Sequence, residues 1–372
     1  MIYFDNAATT PVFECVKEKA AAMFDVFGNP SSLHTLGFEA EREIEMAREI
    51  LVKHLGDGEI YFTSSGTEAN NIALLSGAEK NARAGNRIIS TNSEHPSVEE
   101  SLKKLEEKGF DVVRLKTVGG KIDMNEVEKA CDKPVCLVSV MHTNNETGAI
   151  YPVSKISALV KKHYPRALVH CDCVQALGKH KISLKTLGAD MISLSAHKVH
   201  AFKGTGALLV RKGLALPPQT LGGGQEKGVR SGTENTLGIA TFGRAVEEIY
   251  SRFSEWERVE SIHERLVTLL SHVDGVHLNV PSDCCPSILN FSVEGVRSET
   301  MLHSLSARGI YLSAGSACSS KAKLSPVLDA FGLSSKLSEG ALRVSLSCES
   351  TMQEAEEFVN VLCEEIKRLK RK

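Results

Sequence analysis

Lys198 closes the run Ser193-Leu194-Ser195-Ala196-His197-Lys198, and a Gly204-Thr205-Gly206 turn follows it. A lysine amine can form a Schiff base only if part of it is neutral near pH 7. The dry carboxyl end of a buried strand supplies the desolvation this needs. A lysine emerging where a strand stops would show the same pattern. Asp172, in His170-Cys171-Asp172-Cys173-Val174-Gln175, would also end a buried strand. An unpaired carboxylate is expensive there, so it asks for a cationic partner such as a protonated ring nitrogen. A helix N-cap is the ordinary alternative. Gln175, three residues on, is spaced to meet a ring hydroxyl of the same ligand. A carboxylate that holds a pyridinium nitrogen is what makes pyridoxal phosphate an electron sink.

Three more clusters share this placement. Phe62-Thr63-Ser64-Ser65-Gly66-Thr67-Glu68 runs from a strand through small residues into a helix beginning near Thr67. Free backbone N–H groups and a hydroxyl at a helix N-terminus make a phosphate site, although a simple capped helix start has the same composition. The pattern is neither a Walker loop nor G-x-G-x-x-G, so no nucleotide is implied. Ser93-Glu94-His95-Pro96 offers an imidazole able to stack on a flat ring and relay protons, or a structural histidine. Met141-His142-Thr143-Asn144-Asn145 places an amide, Asn145, near the same rim. All five clusters fall at carboxyl ends of predicted strands, and this convergence argues for one site.

The elements that must position these residues are strands and helices in alternation from about residue 60 to residue 210. Strand candidates are 60–63, 87–90, 112–115, 135–140, 167–170, 191–194 and 207–210, and a helix over 97–108 opens with the box Ser97-x-x-Glu100. Near-continuous apolar strands between helices predict a mostly parallel sheet covered on both faces, with ligands outside the strands' carboxyl ends. One long helical stretch follows, from Asn235 to about Val273. Strands at 287–293, 310–313 and 341–347 and a last helix from the box Thr351-x-x-Glu354 then suggest a smaller α+β unit. The expected division is an N-terminal segment 1–14 packed on the small domain, a large domain 15–250 and a small C-terminal domain 251–372.

Bulk properties narrow the classes. The net charge of -2 over 372 residues gives no field to attract nucleic acid or an anionic membrane. No apolar run approaches the roughly 20 residues that span a bilayer, and Met1-Ile2-Tyr3-Phe4 is no signal pattern. A cytoplasmic protein is expected. Its ten cysteines lack C-x-x-C pairs and zinc-ligand spacing, so reduced and mostly buried thiols are expected, with no metal.

Taken in order, Asp5-Asn6-Ala7-Ala8-Thr9-Thr10, Gly28-Asn29-Pro30-Ser31-Ser32, Gly66-Thr67-Glu68, Asn144-Asn145-Glu146-Thr147-Gly148 and Ser195-Ala196-His197-Lys198 form a recognisable set. Gly222-Gly223-Gly224-Gln225-Glu226, Arg230-Ser231-Gly232-Thr233-Glu234-Asn235 and Gly315-Ser316-Ala317-Cys318 continue it. The chain resembles, over essentially its whole length, the NifS/IscS-type cysteine desulfurases of the class V aminotransferase superfamily. The resemblance implies an α/β fold-type I PLP-dependent transferase, with a large mostly parallel-sheet domain and a smaller α+β C-terminal domain. It makes Lys198 the Schiff-base lysine, Asp172 the pyridinium partner, His95 the ring-stacking residue and Gln175 the neighbour of the ring hydroxyl. Gly66, Thr67, Ser195 and His197 would bind the phosphate of pyridoxal 5'-phosphate, with Thr233 reaching in from the second subunit of a homodimer. Asn145 and Arg343 would grip the carboxylate of L-cysteine, a role suited to the guanidinium fork. In the strand candidate Ala341-Leu342-Arg343-Val344 a paired core or edge arginine is the alternative. Cys318, in a run of small residues, would take the sulfur as a persulfide and pass it to a protein acceptor, an iron–sulfur scaffold or a tRNA-thiolation protein.

Two stretches depart from the family pattern. Ala201-Phe202 stands where many relatives have Gly-Pro, and Val344-Ser345-Leu346-Ser347-Cys348 lacks the usual glycine. The rival readings are a selenocysteine lyase or other PLP β-lyase, and a sulfur-relay subunit of low activity.

Overall fold

The computed structural model describes residues 1–315 and 325–370. The strands, in chain order, are β1 (Ile2–Tyr3), β2 (Glu59–Thr63), β3 (Arg87–Thr91), β4 (Asp111–Leu115), β5 (Val135–Ser139) and β6 (Leu168–Asp172). They continue with β7 (Met191–Ser195), β8 (Gly206–Val210), β9 (Val276–Leu278), β10 (Ile288–Val293), β11 (Ile310–Tyr311) and β12 (Ala341–Ser345). Seven of them form one sheet in the order β2-β8-β7-β6-β5-β3-β4. Only β8 opposes its neighbours; the pairs β3–β4, β3–β5, β5–β6 and β6–β7 are parallel. Because β2 is antiparallel to β8 and β8 to β7, β2 runs with the rest. Its carboxyl end therefore lies on the same edge as theirs.

That edge is where ligands of such sheets bind, in the crevice where strand order reverses. Here the chain moves outward from β3 to β4 and then returns to place β5 on the other side of β3. The residues after β3 and after β5 thus flank the crevice.

Strands this apolar must be covered twice. On one face the helices Gly66–Asn81 and Pro96–Glu107 pack Ile72, Leu74, Val98 and Leu102 onto Ile88, Leu137 and Met191. The other face joins the larger core, which includes Leu51, Val138, Val169, Phe242, Leu266 and Phe358. β9, β10 and β12 form a separate antiparallel sheet in that core, backed by the helices Trp256–Ser271 and Met352–Lys370. β1 pairs with β11, and Phe4 meets Phe358 edge to face at 5.9 Å. Burying a ring of this size contributes about 1.5–3 kcal/mol, enough to pin the N-terminal segment.

Three local expectations are corrected. The periodicity predicts one helix from Asn235 to about Val273; the chain forms Thr236–Ser251 and Trp256–Ser271, joined by a tight turn at Phe253–Glu255. The break seats Trp256, whose indole N–H donates to the Gly178 carbonyl at 2.6 Å. The helix expected to start at the Ser97 box instead starts at Pro96, capped by His95, whose Nδ1 accepts from the Ser97 N–H. A proline at the first helical position suits that start, since its missing N–H would have had no helical partner. Finally, the strands at 310–313 and 341–347 end early, at Tyr311 and Ser345. The box Thr351-x-x-Glu354 forms as expected, with reciprocal bonds between the two residues.

No helix among the described residues is long and apolar enough to cross a membrane. The nine described cysteines are all free thiols, six of them buried.

Candidate active site

A cavity of about 210 Å³ opens at the carboxyl edge of the large sheet. Gly66, Thr67, His95, Asn145, Asp172, Gln175, Ser195, His197, Lys198 and Arg343 all line it. Five strand-end stretches of the large sheet thus meet in one cavity, and Arg343 joins them from the middle of β12 in the other sheet.

At one wall, Ser65 caps the helix Gly66–Asn81 by accepting from the Glu68 N–H, and the helix's first N–H groups face the opening. Such an end favours an anion. Gly66 fits here because a Cβ would stand 2.8 Å from Val174 Cγ2 and 3.2 Å from Ser195 Cβ. Gly206 lets β8 pass this turn; a Cβ there would lie 2.4 Å from the Ser65 carbonyl carbon. Ser195 and His197 come from the end of β7 beside it. Burial, with Lys198 and Lys203 nearby, pushes the His197 imidazole down to about 4, so it is neutral at pH 7.

Asp172 ends β6 as a buried carboxylate. Its Oδ1 accepts from the Val174 N–H at 2.9 Å and its Oδ2 from Asn70 Nδ2 at 2.7 Å. The first bond is the local cap that the sequence allows as an alternative, but no helix follows. Lys198 stands in the turn after β7, and its Nζ donates to the carbonyls of Ala7 (2.6 Å) and Ala8 (2.7 Å). Gln175 Nε2 donates to the same Ala7 oxygen, while its Oε1 accepts from Lys179. Burial lowers Lys179 to about 8.

Arg343 arrives from β12, and its side chain is 1% exposed. Its Nη2 pairs with Asp5 Oδ1 at 2.9 Å, its Nη1 donates to the Asn145 carbonyl at 2.8 Å, and its Nε has no partner among the described residues. It is therefore both a paired residue and a cavity-lining one. Ser313, at the edge of the described chain, exchanges backbone bonds with Arg343 and donates its hydroxyl to Asp5. Ser325, where the described residues resume, donates to the carboxylate of Glu146, next to Asn145. Cys318 lies outside the described residues. Thr233 is not in the main cavity; it lines a separate cleft with Phe62, Arg230 and Glu234.

The departure after Lys198 is absorbed locally. His200 takes a left-handed conformation (φ 65°), stacks on Phe13 with 4.0 Å between ring centres, and leaves Ala201 buried. Cys348 is buried, and its thiol is pushed up to about 12.

Sequence reasoning assigns no part in the site to Ala7, Ala8, Asn70 or Ser97, the last read only as a helix cap, yet all four line the cavity. The Asp5–Thr10 motif was a signal for the first two. Nothing local marks Asn70, which lies inside a helix.

The pattern that defines the family "Aminotransferase class-V" matches residues 2–358. A NifS/IcsS protein homolog of Lactobacillus delbrueckii subsp. bulgaricus is 39% identical, over 96% of this chain and 95% of its own. Cysteine desulfurase IscS 1 of Archaeoglobus fulgidus is 38% identical, over 100% of this chain and 98% of its own. Among solved structures, a NifS-like protein superposes with a TM-score of 0.92 at 38% identity, covering 98% of this chain and 99% of that one. The chain belongs to the class-V aminotransferase family, and its fold is that of the NifS-like proteins.

Proposed function

We propose that this chain is a pyridoxal-phosphate-dependent cysteine desulfurase, converting L-cysteine to L-alanine and leaving a persulfide on Cys318. The observation that carries this reading is the convergence in one cavity of an amine, a buried carboxylate, an anion-binding helix end and an arginine. The cofactor suits that donor set. Lys198 would hold it covalently, Asp172 would pair with its ring nitrogen, Gln175 would meet its ring hydroxyl and His95 would support its ring. Gly66, Thr67, Ser195 and His197 would bind its phosphate. Bound, the cofactor supplies a sink for the electron pair left when the substrate's α-carbon loses a proton.

The chain's own residues do the rest. Arg343 and Asn145 bind the substrate carboxylate, with the Asp5 pair holding the guanidinium in place beforehand. Lys198 Nζ accepts the α-proton. His95 manages the proton of the substrate thiol. The Cys318 thiolate attacks the substrate sulfur: an S–S bond forms, the C–S bond breaks, and its electron pair stays on carbon to be protonated. Cysteine and a thiol thus give alanine and a persulfide, with no external oxidant. A protein acceptor then takes the sulfur, either an iron–sulfur scaffold or a tRNA-thiolation protein. The working unit is a cytoplasmic homodimer in which Thr233 completes the partner copy's phosphate site.

Cofactor-loaded protein should turn L-cysteine into alanine and, with a thiol reductant, sulfide. Lys198→Ala should lose the borohydride-trapped adduct and on the order of 10³-fold or more in alanine formation. Cys318→Ser should keep the adduct but lose sulfide release. A colourless wild-type protein without the adduct, or a wild-type rate from Cys318→Ser, would sink the cofactor or the persulfide assignment respectively.

A further inference from the structure

Behind His95 runs a chain of three buried side chains that ends on Asp172. His95 Nδ1 accepts from the Ser97 N–H at 3.1 Å and lies 2.8 Å from Ser97 Oγ. Ser97 Oγ is 2.9 Å from Asn70 Nδ2, and the same Nδ2 is 2.7 Å from Asp172 Oδ2. Asn70 is 1% exposed, so bulk water has little hold on the arrangement.

The direction of every proton in this chain follows from one fact: an ionised carboxylate only accepts. Asn70 must therefore turn its NH₂ towards Asp172, because the flipped amide would set oxygen against oxygen. It holds that orientation although its own Oδ1 is left buried without a partner among the described residues. The second Nδ2 hydrogen then points at Ser97 Oγ, which must accept it. The Ser97 hydroxyl proton is left to go to His95 Nδ1, and that nitrogen, with two donors aimed at it, carries no proton. The neutral imidazole bears its hydrogen on Nε2, the nitrogen with no partner among the described residues.

We propose that Asn70 and Ser97 are positioning residues that couple His95 to Asp172, so that the carboxylate's charge fixes His95 as the Nε2–H tautomer, a proton donor towards the cavity. The use made of that proton rests on the desulfurase reading above; the tautomer itself does not. The charged groups that face His95 are Asp172 from β6 and Lys198 from the turn after β7. Burial, with Lys198 adding to it, holds the imidazole below its ordinary range against the pull of Asp172, which favours the neutral ring.

The test uses nitrogen-15-labelled histidine in both the cofactor-free and the cofactor-loaded protein, with the His95 signal identified by its loss in His95→Asn. Wild type should show a proton on Nε2 and a lone pair on Nδ1 in both forms. Ser97→Ala removes the hydroxyl donor but keeps the backbone one. It should move the His95 titration up by roughly one pH unit, the weight of one hydrogen bond. In the loaded enzyme it should lower kcat for alanine formation and shift the acid limb of the pH profile equally, leaving KM for cysteine near its wild-type value. Ser97→Thr should restore all three.

A proton on Nδ1 in wild type, or a titration unmoved by Ser97→Ala, overturns the proposal. So does a Ser97→Thr variant that folds and still behaves as Ser97→Ala. If the wild type forms no alanine while the nuclear magnetic resonance results come out as expected, the coupling stands and the desulfurase reading falls.

Discussion

Glu94 sits one residue before His95, fully within the protein. Its carboxyl accepts from the Thr91 hydroxyl at 2.7 Å and from the Met141 N–H at 3.1 Å. Burial outweighs those donors, with Asp172 adding to the upward push, and raises its pKa to about 8. An acid raised in the folded state binds its proton more tightly there than in the unfolded chain. Its contribution to stability is therefore whole below about 4.5 and lost as pH rises towards 8. Glu94→Gln removes the titrating group but keeps the shape. The stability of wild type relative to Glu94→Gln should fall steadily between pH 5 and pH 8, read by urea unfolding at each pH. A difference that is flat across that range would mean Glu94 is ionised throughout. The same residue ties β3 to the start of the Asn145 stretch, so its protonation state bears on how the two walls of the crevice meet.

At the scale of elements, the N-terminal turn is the joint between the two sheets. Asn6 donates to the Ser345 carbonyl, Gln175 and Lys198 donate to Ala7, and Thr10 bonds to His197 and His200. Among the described residues its ion pair to the core is Asp5 with Arg343, whose side chain is almost wholly buried. Breaking such a pair leaves a nearly buried guanidinium with no counter-charge among the described residues, held only by the Asn145 carbonyl. Asp5→Ala should cost about 3–5 kcal/mol of unfolding free energy, beyond what loss of the Ser313 bond alone would explain. Loss of under about 1 kcal/mol would place the pair with ordinary surface contacts. Ser313→Ala, which removes only the hydroxyl on the same Asp5 oxygen, gives the comparison.

For the whole molecule, several of the exposed large apolar side chains fall in one stretch, residues 24–38, although Val118, Leu221 and Met352 are exposed elsewhere. Phe24 and Phe27 are each 76% exposed and Leu33 91%, and Phe38 follows on the next helix. Monomeric proteins rarely show so many large apolar groups together, whereas an interface between copies uses them. Such a face suits the homodimer proposed above, in which Thr233, exposed beside its own cleft, would serve the other site. Phe27→Asp should shift the sedimentation coefficient from dimer to monomer at micromolar concentration and lower cofactor retention with it. A wild-type protein that sediments as a monomer would remove the partner's Thr233 from the site.

Local pattern determined much of this protein. The strand end at Thr63, the strands over 167–170 and 191–194, a helix start near Thr67 and the Thr351 box follow from periodicity and cap chemistry, which act over a few residues. The same signals brought Lys198, Asp172, His95 and Asn145 to one edge, because parallel strands must share a carboxyl side. Only the tertiary structure decided that the carbonyls of Ala7 and Ala8 face the Lys198 amine, that Asp5 holds Arg343, and that Asn70 joins Asp172 to Ser97. Those partners lie from 27 to 338 positions apart. No residue spacing encodes such a meeting; it exists once the core has closed and each buried polar group has had to find a partner.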